Sequence, residues 1–478
     1  MKEKRAAGVL LPIFALPSGY SSGNFGRSAY EFVDLLKESG FSYWQVLPFT
    51  PPDSFHSPYA SSSSFGFNPY FLDLEDLVAR GLLKDEEILS AKELDPSGCE
   101  YSRLERERLS LLALAAERFR EENALSRFLG AHPYIEEHCR FEGLKAANDG
   151  VPWQHFRTHL PDEKVYRTYA VLSYLFYEEW MALRGYANSK GISVIGDLPI
   201  YVSLDSADVF FHSELFALHG DGSPRGVAGV PPDYFSAEGQ KWGNPLYDWE
   251  KMKEDGFSFW RARLRHMLSL FDGIRFDHFR GFDTYFDIPA EAANAKAGVW
   301  REGPRFALVD VLKEEAGEAL LIAEDLGELF PSVTELLSYS GFPGMRVFAF
   351  AFDGEDSVHR PDRYPTNAIA YSGTHDNDTL AGFLSSLPDE KRREIYRYCG
   401  YGGDDLCEGC RAAIETLYAS RADVVILPVQ DLLCLPSFAR FNTPGCAVGN
   451  WRFRITEKQM RSIDRQYFSS LARQYERI

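Results

Sequence analysis

Eight short apolar runs punctuate the chain, and runs of this kind read as strands buried on both faces, as parallel strands are. They are Gly8–Ile13, Tyr43–Pro48, Ile192–Val202, Gly273–Phe279, Leu320–Leu326, Arg346–Phe350, Ala368–Ser372 and Val424–Pro428. Amphipathic stretches lie between several of them. Tyr30–Ser39 follows the first, Trp260–Leu270 precedes the fourth and Val333–Ser340 precedes the sixth. Parallel neighbours need long crossovers, which helices supply.

Eight strands with helices between them predict an α/β chain closed into a (β/α)8 TIM barrel. A doubly wound open sheet is the competing topology. The spacing is uneven: roughly 140 residues separate the second run from the third, far more than one βα unit uses. Helical patterns such as Ser102–Arg120 and Lys164–Leu183 fill that interval. The expected organisation is a first part of the barrel over 1–76 and a mainly helical insertion over 77–186. The remainder of the barrel then occupies 187–478, with a groove-covering loop near 229–250. A chain of 478 residues that is 45% hydrophobic can bury a core of this size.

Charge narrows the partners. The net charge of −19 repels phosphate backbones and anionic membranes, so neither nucleic acid nor a membrane is an expected partner. No stretch of eighteen apolar residues occurs. The basic start Lys2, Lys4, Arg5 before an apolar run imitates a secretion signal, but Glu3 and Pro12 interrupt it and the run fits a first strand. Seven cysteines, odd in number and sparse, do not resemble a disulfide framework, and the expected location is the cytoplasm. Cys407 and Cys410 form a C-x-x-C without a second pair at zinc-ribbon spacing, so no metal is expected.

Barrel enzymes carry their chemistry at the C-terminal ends of the strands. Three such ends bear acids here: Arg275-Phe276-Asp277-His278 on the fourth run, Ala323-Glu324-Asp325 on the fifth, and Thr374-His375-Asp376 after the seventh. One carboxylate to attack a sugar carbon and one carboxyl group to move a proton is the minimum set for glycoside chemistry. Arg275 lies two residues before Asp277, so both side chains face the same way along a strand, and the cation keeps a neighbouring carboxylate ionised. Each acid taken alone is more readily a loop residue or a helix cap. The combination, in this order, is what points to catalysis.

The set Arg275-x-Asp277, Glu324 and His375-Asp376 resembles the α-amylase clan of glycosidases. The surrounding sequence is more closely similar to the amylomaltases, the 4-α-glucanotransferases of glycoside hydrolase family 77. The matching segments include Ser57-Pro58-Tyr59, Gly196–Val202, Asp205–Val209, Val227–Asp233, Gly239–Pro245, Gln430–Leu433, Asn442–Gly445 and Gly449–Trp451. The resemblance implies Asp277 as nucleophile, Glu324 as acid/base and Asp376 as a stabiliser of the distorted sugar. It implies that Arg275, His278 and His375 contact the nucleophile or the sugar hydroxyls, and that Tyr59 stacks on the sugar. It places Asp233, Gln240, Trp242 and Asn244 on a loop over the glucan groove, with Asn442 facing that groove.

The implied reaction is retaining transfer of α-1,4-glucan segments to the 4-hydroxyl of glucose or a glucan, through a covalent glucosyl-enzyme and without a cofactor. Glu324 is expected to carry a raised pKa in the free enzyme. Two other readings keep the same residues in view: a hydrolase of the same clan with the same acids, and a non-catalytic glucan-binding protein, which predicts a damaged acid set. Neither G-x-x-x-x-G-K-[ST] nor a G-x-G-x-x-G after a strand occurs, so phosphoryl and nucleotide chemistry find no support.

Overall fold

The structure is a computed structural model and describes residues 5–92, 96–232, 237–327, 329–354, 356–446 and 448–478. Twelve strands occur among the described residues. In chain order they are β1 (Ala6–Leu10), β2 (Tyr43–Gln45), β3 (Ser193–Leu198), β4 (Gly226–Val230), β5 (Gln240–Pro245), β6 (Gly273–Phe276), β7 (Thr284–Pro289), β8 (Val299–Glu302), β9 (Leu320–Ala323), β10 (Gly344–Val347), β11 (Ala368–Tyr371) and β12 (Val424–Pro428). Eight of them close a parallel barrel in the order β1-β12-β11-β10-β9-β6-β3-β2. Every one of the eight apolar runs contains or overlaps one of these strands, so the expected (β/α)8 barrel is the observed fold.

Closure joins the two ends of the chain. β1 pairs with β12 from Ala6↔Val424 to Leu10↔Pro428, and with β2 on its other side. The apolar N-terminal run is thus a barrel strand, buried along its length. Gly8 is where β1 and β2 approach: a Cβ there would lie 2.6 Å from that of Tyr43, so no larger residue fits.

Residues 46–192, between β2 and β3, hold a long series of helices that includes Leu109–Arg118, Glu122–Ala131, Pro133–Ala147 and Glu163–Ser189. The last runs 27 residues and is capped by Asp162, whose carboxylate accepts from the amides of Lys164 and Val165. Its apolar face packs on the barrel. Trp180 lies 4.6 Å from Phe49, ring to ring, in an aromatic cluster with Phe25, Phe176 and Phe271.

Two expectations are corrected. Cys407 and Cys434 form a disulfide, which ties the start of the helix Leu406–Ala419 to the segment after β12. Sparse spacing along the sequence hides this pair, because the helix and β12 bring the two cysteines together only in the fold. Cys139, Cys399, Cys410 and Cys446 are thiols. Gln240, Trp242 and Asn244 lie on a strand and not on a loop. β5 pairs antiparallel with β4 in a four-stranded sheet of order β5-β4-β7-β8 beside the barrel. A register shift between Val227 and Gly229 and a left-handed Gly243 interrupt this hairpin, which is why its sequence reads as turn.

Candidate active site

The barrel presents its acids at one mouth. Asp277 follows β6 directly and Glu324 follows β9 directly. Both backbones are pinned to the neighbouring strand: the Asp277 amide donates to Leu198 O at 3.0 Å and the Glu324 amide to Phe276 O at 3.1 Å. His278 then turns the chain with φ +54°, a conformation that costs a non-glycine residue roughly 1 kcal/mol or more. That turn aims its amide at Glu324 Oε2, 2.8 Å away.

Arg275 lies under the pair. Its Nη1 donates to both oxygens of Asp197 at 2.7 Å, and its Nη2 donates to Glu324 Oε2 at 2.8 Å. Asp277 Oδ1 is 3.3 Å from the same Nη2. Arg275 and Asp197 are register partners on β6 and β3, and both are fully buried. Burial acts to discharge the guanidinium, but Asp197, then Glu324 and Asp277, keep it charged.

Asp277 and Glu324 thus meet on one guanidinium nitrogen, close enough for the charge of each to act on the other. Burial, then the Glu324 charge, raises Asp277 well above the ordinary carboxylate range. Burial pushes Glu324 up too, but Arg275 and the His278 amide outweigh it and hold Glu324 low. The expectation of a raised Glu324 is therefore reversed, because Arg275 bonds Glu324 more closely than Asp277. Of the two, Asp277 therefore keeps its proton to higher pH than Glu324. His278 is neutral near pH 7, since burial lowers it to about 4.

Asp376 faces the pair from the turn after β11. Its Oδ1 accepts from Asn442 Nδ2 at 2.6 Å and lies 3.4 Å from His375 Nε2. The Tyr59 ring stacks on His375 at 5.1 Å, and its hydroxyl donates to Asp197 Oδ2 at 2.7 Å. On the opposite wall, the Trp242 ring stands edge-on to His278 at 5.1 Å, its indole N–H donating to Gln240 Oε1. The Asn244 amide donates to Val202 O.

A single open cleft of about 670 Å³ is lined by Tyr59, Gln240, Trp242, Asn244, Asp277, His278, Glu324, His375, Asp376 and Asn442. Arg275 does not line the cleft and meets it only through the acids it bonds. Of the residues expected at the site, Asp233 alone lies outside the described residues. The side chains of Asp277 and Glu324 are 28% and 18% exposed, open enough to meet a substrate. Sequence reasoning missed Asp197, Tyr201 and Trp451. For Asp197 a signal was present: a carboxylate inside a strand that is otherwise apolar must have a buried cationic partner.

The arrangement suits nucleophilic attack at one sugar carbon with proton transfer to the oxygen that leaves it. Asp277 Oδ1 and Glu324 Oε2 lie 3.3 and 2.8 Å from the same Arg275 nitrogen, which keeps them closer than the roughly 6.5–9.5 Å that an inverting enzyme leaves for its water. Aromatic faces at Tyr59 and Trp242 match the apolar faces of a pyranose, and amides and carboxylates match its hydroxyl rim.

Comparison with known proteins agrees with this chemistry. The sequence model of glycoside hydrolase family 77, described as 4-alpha-glucanotransferase, matches residues 11–460. A 4-alpha-glucanotransferase of Streptococcus pneumoniae is 38% identical, over 100% of this chain and 98% of the relative. That of Thermus thermophilus is 38% identical, over 95% of each chain. Among solved structures, the amylomaltase from Streptococcus agalactiae in complex with acarbose superposes with a TM-score of 0.94 at 34% identity, covering 99% of this chain and 100% of that one.

Proposed function

The chain belongs to the 4-alpha-glucanotransferases of glycoside hydrolase family 77, and on that premise we propose how its residues divide the reaction between them. The activity is transfer of α-1,4-glucan segments between glucans with retention at the anomeric carbon. Asp277 is the nucleophile, Glu324 the acid/base and Asp376 the group that holds the distorted sugar. The observation that carries this reading is the acid pair, held on one arginine in a cleft with aromatic walls.

As a donor enters the cleft, a proton passes from Asp277 to Glu324. Glu324 then protonates the glycosidic oxygen while the Asp277 carboxylate attacks C1. The C1–O bond breaks, the leaving glucan takes the proton, and a covalent glucosyl-Asp277 ester remains. The acceptor's 4-hydroxyl gives its proton to Glu324 and attacks C1, which frees Asp277 and restores the pair. Arg275 stabilises whichever acid is ionised at each stage.

Tyr59 and His375 stack beside the sugar in the cleavage subsite, and Asn442 orients Asp376. Gln240, Trp242 and Asn244 on β5 cover the bound glucan. Glucose serves as the smallest acceptor, and the protein works in the cytoplasm. No described helix is long and apolar enough to cross a membrane.

Incubation with maltotriose alone tests the transfer. The expected products are glucose and a ladder of longer oligosaccharides, and labelled glucose added to the mixture enters that ladder. Glucose and maltose without a ladder would refute transfer as the main activity. Asp277→Asn is expected to lose at least roughly 10⁴-fold in kcat, the scale seen when a covalent nucleophile is removed. Fractionated cells with the activity outside the soluble cytoplasmic fraction would overturn the location.

A further inference from the structure

Gln430 and Asp431 stand in the one-turn helix Val429–Leu432 that follows β12, and neither lines the cleft. Asp431 is 4% exposed. Its Oδ2 accepts from Ser372 Oγ at 2.5 Å and its Oδ1 from the Leu380 amide at 2.8 Å. Ser372 is the first residue after β11 and Leu380 opens the helix Leu380–Ser386. Between those two points runs the turn 373–379, which carries His375 and Asp376. One carboxylate therefore closes both ends of that turn.

Gln430 fixes the facing segment. Its Nε2 donates to Ala439 O at 2.9 Å, three residues before Asn442. Asn442 then meets the turn twice, through Nδ2 to Asp376 Oδ1 at 2.6 Å and through its amide to His375 O at 3.2 Å. Arg440 Nη2 adds a bond to Asp376 O at 3.0 Å. Both segments that meet at Asp376 are thus held by adjacent residues of one helical turn.

We propose that Asp431 is a positioning residue for the transfer reaction, acting through the 373–379 turn to hold Asp376 against the sugar. The proposal rests on the reading of Asp376 as a transition-state stabiliser. Displacement of a catalytic group by about 1 Å can cost roughly 10²-fold in rate, and loss of the clamp acts in the same way. The effect falls on kcat, since Asp376 holds the distorted sugar more than the ground-state one.

The test measures maltotriose kinetics for four variants of the full chain. Asp431→Ala lowers kcat by roughly ten- to a hundredfold, with KM within about threefold of wild type. Asp431→Asn keeps an acceptor for the Leu380 amide and a donor for the Ser372 hydroxyl, and returns kcat to within about threefold. Adding Asp431→Ala to Asp376→Ala costs no more than about twofold further, because the clamp acts only through the acid. Wild-type kinetics for Asp431→Ala, or an equal fractional loss in both backgrounds, overturns the proposal. Full activity in Asp376→Ala alone instead overturns the reading of Asp376. Should Asp431→Ala not fold, Ser372→Ala releases one end of the turn and lowers kcat several-fold; unchanged kcat there overturns the proposal equally.

Discussion

Arg275 decides more about this site than any of the acids it serves. It is buried, it meets three carboxylates, and it places the negative charge of the free pair on Glu324. The acids themselves were legible in the sequence, since Asp277 and Glu324 each stand in the C-terminal half of an apolar run and Asp376 lies just past one. Their proton distribution was not, because it depends on which oxygen the guanidinium reaches, and spacing along a strand does not encode that. Asp197 shows itself in the sequence as a carboxylate inside an apolar run, but its partner does not, because only the pairing of β3 with β6 brings Arg275 to it.

A second buried group sets a pH dependence. His138 is fully buried, neither ring nitrogen has a hydrogen-bond partner, and burial lowers its pKa to about 4. The unfolded chain protonates this histidine near 6.5 and the folded chain only near 4, so its contribution is intact above pH 6.5 and erodes as the pH falls between those values. At 1.36 kcal/mol per pH unit the loss approaches about 3 kcal/mol. His138→Phe is expected to flatten the fall in stability between pH 6.5 and 4 by that amount, read from denaturant midpoints at several pH values. An unchanged slope would mean that the ring is hydrated in solution.

The hairpin β4–β5 shows where an element escapes sequence reading. Gln240-Lys241-Trp242-Gly243-Asn244-Pro245 holds three turn formers and no alternation of apolar residues, so it resembles a loop. Pairing with β4, whose other edge is held by β7, makes it a strand all the same. The eight barrel strands were readable because burial on both faces demands continuous apolar runs, while a strand at the edge of an exposed sheet carries no such demand. Trp242 is 39% exposed on this strand. Trp242→Ala is expected to change stability by no more than about 0.5 kcal/mol, as surface substitutions do. It should raise the share of donor lost to water, measured as free glucose in excess of that matched by the ladder. A partition equal to wild type would leave Trp242 without a role in excluding water.

The insertion between β2 and β3 shares its core with the barrel. Trp180, in the helix Glu163–Ser189, packs against Phe49 and Phe271, and its indole donates to Leu270 O at 2.9 Å. One contiguous cluster of buried side chains includes residues of both regions. Urea unfolding is therefore expected to give a single transition, with tryptophan fluorescence and far-ultraviolet circular dichroism coinciding. An earlier step in dichroism alone would show that the helices melt separately.

The pairing of β1 with β12 also bears on synthesis. A chain growing on the ribosome makes β1 long before β12 and must wait for β12 before that strand's second edge is covered. Until then β1 offers bare backbone to any neighbouring strand, the kind of edge that chaperones shield and aggregates recruit. The cleft is likewise unfinished until Asn442 has left the exit tunnel, so ribosome-stalled chains that stop short of it should bind and transfer no glucan, and the cell is spared a half-made enzyme acting on its polysaccharide.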